Sequence, residues 1–138
     1  MKKIAWLGTP EERILSIRNF RKYINTIPFE EAVVLTKNNW NDSPKINKDK
    51  INISNISEWP TPWELFGQSV FSENEQVLGT FYTLILSNHA KEHDISLGVI
   101  DYLTTIQLEL IIDSEPLSDF KVINIINVSD LKIQLGIK

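Results

Sequence analysis

The chain has 138 residues, 42% hydrophobic and 23% charged, which is the size and composition of one folded domain and excludes a disordered or fibrous polymer. Fourteen basic residues against 18 acidic ones give a net charge of −4, without the basic footprint of a nucleic-acid binder. There is no Cys, so disulfides, thiolate metal sites and a cysteine nucleophile are excluded. The longest apolar runs fall well short of a bilayer span, and the apolar stretch after Lys2 and Lys3, Ile4 to Leu7, is too short for a signal peptide.

Ile4 to Leu7 could form a short strand. Thr9-Pro10-Glu11-Glu12 then reads as a helix start, with Thr9 as N-cap, Pro10 in the first turn and Glu12 closing a capping box. Ile14, Ile17, Phe20 and Ile24 recur at helical spacing, which predicts a helix to about Ile24; Arg13, Arg18, Arg21 and Lys22 read as its solvated side. A second helix is predicted from about Thr26–Pro28 to Asn38, with Phe29, Ala32, Val33 and Thr36 on one side and the Asn38-Asn39 pair as its stop. Residues 41–58 make a long polar loop that Ile51, Ile53 and Ile56 could dock to the core.

Trp59-Pro60-Thr61-Pro62-Trp63-Glu64-Leu65-Phe66 repeats the capping-box pattern at Thr61, so a short helix is expected there. A third box at Ser72-Glu73-Asn74-Glu75 opens a helix carrying Val77, Leu78, Phe81, Tyr82, Leu84 and Ile85. That wide apolar arc predicts a central, buried helix, in which Gly79 and Thr80 would admit a close neighbour. After Asn88 the period changes to two. Ile95, Leu97 and Val99, then Ile106, Leu108, Leu110 and Ile112, alternate as strands, with turns at Asp101–Thr104 and Asp113–Asp119 and further strand-like runs at Val122–Val128 and Leu131–Ile137. The expected fold is α+β, a single domain over 1–138, with helices on one face of a three- to four-stranded antiparallel sheet.

Few residues suggest chemistry. His89 and His93, the only histidines, are four apart, but no HExxH pattern surrounds them and they read as surface residues of a helix-to-strand turn. Ser72 at a helix start could be an activated nucleophile, yet serine is also the commonest cap and the later strands offer it no imidazole base. Asp101, Asp113, Glu115 and Asp119 lie at strand ends without the spacing of a catalytic pair. Trp59, Trp63 and Phe66 could line a partner-binding groove or a small-molecule pocket, and could equally pack a core. No catalytic residue, metal site or cofactor is assigned.

The order from Trp59 to about Ile112 resembles the core of the transglutaminase-like (papain-like) superfamily: a Thr-Pro-x-Glu segment, a short helix, a Gly-containing link, a long buried helix and antiparallel strands. The Trp-Pro-Thr-Pro-Trp-Glu-Leu string is similar to small bacteriophage-encoded proteins of that type. The resemblance covers roughly 55 residues, 59–112 in the domain. It implies a catalytic Cys at the start of the buried helix, where Ser72 stands. It also implies a His within Thr104–Leu110, where none occurs, and an Asp within Lys121–Val128, where no acid occurs. The resemblance therefore implies a pseudoenzyme, a viral scaffold acting by contact with another protein, either virion or host component. It would sit in the host cytoplasm or the virion, with no nucleic-acid or membrane partner. The contact is expected at Trp59, Trp63 and Phe66 or at the 41–58 loop. A small hydrolase using Ser72 with His89 or His93 folded back towards it is the alternative.

Overall fold

The computed structural model describes residues 2–103, 105–116 and 121–126. Four α-helices come first: α1 (Pro10–Ile24), α2 (Phe29–Asn41), α3 (Pro62–Phe66) and α4 (Glu73–Ile85). Four strands follow: β1 (Ile95–Tyr102), β2 (Thr105–Ile112), β3 (Glu115–Pro116) and β4 (Val122–Ile125). The strand expected over Leu131–Ile137, the end of the Val122–Val128 run, Thr104 and Asp119 lie outside the described residues.

Helices α1, α3 and α4 begin where their sequences dictate. In each, the cap hydroxyl accepts from the backbone N–H three residues on, and the Glu at that position accepts from the cap's own N–H: Thr9 with Glu12, Thr61 with Glu64, Ser72 with Glu75. Helix α2 has only Pro28 as its cap, with no side-chain bond, and relies on Glu30 and Glu31 against the dipole in its first turn. It runs to Asn41 instead of stopping at Asn38. The reason is Asn39, whose side chain reinforces the helix instead of breaking it. Its Nδ2 donates to Leu35 O at 2.9 Å and to Lys2 O at 3.1 Å, and its Oδ1 accepts from Ile4 N at 2.8 Å. The segment Ile4–Leu7 consequently forms no strand; its backbone is held by side chains, Ala5 N also donating to Ser16 Oγ at 2.7 Å.

Helix α4 occupies the centre, with Leu78, Phe81, Tyr82 and Leu84 fully buried. Gly79 lets the fully buried indole of Trp40 lie directly on the helix backbone, and Trp40 Nε1 donates to Thr83 Oγ1 at 2.9 Å. Trp6 and Phe71 meet Trp40 edge-on, at centroid distances of 4.8 and 5.2 Å.

The sheet is antiparallel, in the order β3-β2-β1-β4. Its β1–β2 register pairs Ile95 with Ile112, Leu97 with Leu110 and Val99 with Leu108, putting the alternating apolar set on one face with the core. Ser96, Gly98 and Ile100, between them along β1, are buried too, and Gly98 leaves room for the side chains of Ile111 and Val122. A two-residue turn, Asp113 (φ 50°) and Ser114 (φ 69°), joins β2 to β3.

The polar loop is docked. Ile51 is buried, Ile53 and Ile56 are partly so, and Phe71 N and Ile46 N tie the strip around Pro44 to Phe71. One turn of 3-10 helix spans Ile56–Glu58.

Candidate functional site

The start of α4 is the place where a nucleophile would gain most from a helix dipole. Ser72 is 1% exposed. Its hydroxyl accepts from Glu75 N at 3.3 Å, and Glu75 Oε1 accepts from Ser72 N at 2.9 Å. Glu75 is itself 1% exposed, with Lys50 Nζ 3.8 Å from Oε1. Asn74 completes the cover: its Nδ2 donates to Asp49 Oδ2 at 2.8 Å and its Oδ1 accepts from Leu108 N at 3.0 Å. The docked loop and the cap thus close the site against a substrate.

Neither imidazole is near. Both histidines follow the far end of α4, a helix about 20 Å long at 1.5 Å per residue. His89 Nε2 lies 2.8 Å from Ile24 O, so that nitrogen is the protonated donor. His93 stacks on Phe29, with ring centroids 3.8 Å apart and planes 11° apart, and its Nδ1 is 3.0 Å from Asp113 Oδ2. The bond from His93 and that from Asp94 N hold the Asp113 carboxyl below the usual aspartate range. These groups fasten the helix-to-strand turn to α2 and to the β2–β3 turn. Among the described residues, no group of three His, Asp or Glu could hold a metal ion, and no helix is long and apolar enough to cross a membrane.

The aromatic trio is divided by packing. Trp59 is 4% exposed and donates its Nε1–H to Asn52 O at 2.8 Å; Phe66 is fully buried. Their place in the expected partner-binding set therefore reduces to support from beneath. Trp63 is 48% exposed and lies under the Arg21 guanidinium, 5.5 Å from its ring. Burial, followed by repulsion from Arg18, lowers the pKa of Arg21. Tyr82, below this region, donates to Pro60 O at 2.7 Å, and burial with Glu64 nearby pushes its phenol above the ordinary range.

Asn74 carries no mark of a site residue in the sequence. The signal available was an Asn inside a capping box already closed by Ser72 and Glu75, hence free for another task. On either side of it a polar groove follows β2, with cavities of about 270 and 380 Å³ that share Lys45, Glu73 and Gln107 as lining.

Comparison with known proteins adds no relative: no family model matches the chain, and no curated protein or solved structure matches it.

Proposed function

We propose that this chain is a non-catalytic protein-contact module on a transglutaminase-like scaffold, of bacteriophage type, serving as a minor virion component or an accessory protein that engages a host factor. The observation that carries this reading is the state of Ser72. The one hydroxyl at the position of the superfamily nucleophile is spent in a closed cap, and both imidazoles are engaged at the other end of the helix. The order of elements, a short capped helix, a buried helix and antiparallel strands, supports the scaffold assignment. The Trp59–Leu65 string supports the phage type. A hydrolase built on Ser72 would need the 49–50 loop lifted and an imidazole carried the length of α4.

Two measurements test the proposal together. The purified protein is offered a p-nitrophenyl ester, and a glutaminyl peptide with a primary amine; no turnover above buffer is expected. A photo-reactive amino acid at position 63 or 47 is expected to cross-link one defined protein in cells. Turnover that disappears with His89→Ala or His93→Ala would overturn the reading, as would the absence of a cross-linked protein from both positions.

A further inference from the structure

Every arginine of the chain lies on α1, at positions 13, 18 and 21, with Lys22 beside the last, and no Asp or Glu occurs between Glu12 and Glu30. Packing separates these cations. Arg13 is 5% exposed and donates to Gly67 O at 2.6 Å and to Gly8 O, so it ties α1 to the end of α3. Arg18 and Lys22 are exposed, and Arg21 is partly buried over the ring of Trp63. Gly67 lies beside Ile14 and Trp63 beside Arg21, so α3 runs along one side of α1. Ile14, Arg18 and Arg21, at i, i+4 and i+7, share that side, which places Arg18 one turn from Arg21.

The Arg21 guanidinium is unsatisfied. Its Nη1 is buried without a hydrogen-bond partner. Its Nε and Nη2 also lack an acceptor among the described residues, and unlike Nη1 they are not sealed from solvent. No ion pair joins Arg18, Arg21 or Lys22 to a carboxylate among the described residues. Glu64, next to Trp63 in sequence, is spent on Thr61 N at 2.9 Å. The neighbouring charge that acts on Arg21, after burial, is the like charge of Arg18. Stacking on an indole leaves the in-plane N–H groups of a guanidinium to be paired from outside.

Those groups decide the occupant. The planar fork of Arg matches a carboxylate with two parallel hydrogen bonds. Trp63, 48% exposed and resting edge-on upon Phe66, offers an apolar face beside it. The chain's net charge of −4 makes this cationic face a local exception and opposes a polyanionic strand. A protein segment with a carboxylate next to an apolar side chain fits both halves.

We infer that Arg18, Arg21 and Trp63 form a docking surface for an acidic segment of a partner protein, one carboxylate pairing with the accessible N–H groups of Arg21 while an adjoining apolar side chain covers the Trp63 ring. This rests on the protein-contact reading above and gives that contact its chemistry.

The test uses the full chain and a yeast-displayed library of random decapeptides. Enriched peptides are expected to carry Asp or Glu beside an apolar residue, to shift the Arg21 Nε–H resonance, and to bind more weakly as salt is raised. Arg21→Gln should bind them at least about tenfold more weakly, and Trp63→Ala several-fold more weakly. Arg21→Lys keeps the charge without the fork and should recover only part of the loss. Arg18→Glu changes an exposed position and should turn the preference towards basic peptides, so the inference stays testable if the Arg21 variants fail to fold. It is overturned if no peptide is enriched, if enriched peptides lack acidic residues, or if they bind Arg21→Gln and Arg18→Glu as well as the parent. Displacement of the peptides by a short oligo-dT would assign the face to nucleic acid, and a dimer dissolved by Arg18→Glu would assign it to a second copy; either result overturns it. A partner still cross-linked through position 63 in both Arg21→Gln and Arg18→Glu would defeat this inference and leave the protein-contact reading standing.

Discussion

Gly79 and Trp40 are in direct contact, and a methyl group on Gly79 would overlap the Trp40 ring. The indole is fully buried, hydrogen-bonded to Thr83 and braced by Trp6 and Phe71, so it cannot swing aside cheaply. On an exposed helix Gly→Ala would gain about 1 kcal/mol from propensity. Here overpacking reverses the sign. Gly79→Ala should lose about 1–3 kcal/mol in urea denaturation; a stabilised variant would contradict the packing described.

Thr83 Oγ1 accepts from the Trp40 indole and donates to Gly79 O at 2.7 Å. Thr83→Val keeps the shape and strands a buried N–H, so it should cost about 1–3 kcal/mol. Equal stability of variant and parent would mean that the indole finds another acceptor.

Ser72→Ala should lose about 1 kcal/mol through the cap and leave cross-linking to a partner unchanged. A folded variant that no longer engages its partner would make Ser72 more than a cap.

Trp59 and Trp63 are close in sequence and opposite in consequence. Trp59→Ala empties a buried site and should cost about 3–5 kcal/mol. Trp63→Ala removes an exposed ring under Arg21 and should cost less than about 1 kcal/mol, while weakening partner cross-linking if that face is used. Comparable stability losses would remove the distinction between support and surface.

Asp113 gives the acid limb a local contributor. Its folded pKa lies below its unfolded value of about 3.9, so its contribution is complete above that value and lost as the pH falls through the folded one. The stability gap between the parent and Asp113→Asn should therefore be present at about pH 6 and shrink below about pH 4, as followed by denaturant melts across that range. A gap of constant size would show that the turn geometry, not the charge, sets the difference.

The helix starts were legible because a capping box is a local event: Thr9, Thr61 and Ser72 need only the Glu three residues on. The buried role of α4 and the β1–β2 pairing were legible from period alone. The end of α2 was not, because Asn39 reads as a stop until Lys2 and Ile4 are brought to it from the other end of the segment. Trp59, Trp63 and Phe66 looked alike in a string and were separated by what covers them. The Ser72 site was legible as a cap, and its closure by Asp49 and Lys50 was not, since those contacts cross the polar loop.

The Asn39 tie also sets an order of events in synthesis. The strip from Lys2 to Trp6 leaves the ribosome before α1 and α2, and its acceptors and donors on Asn39 emerge only after α1 and most of α2. Until then this strip, with the apolar Ile4 and Trp6, has only the Ala5–Ser16 bond to α1 to hold it. A segment that precedes α1 in the chain thus settles fully only once the later helix α2 has formed.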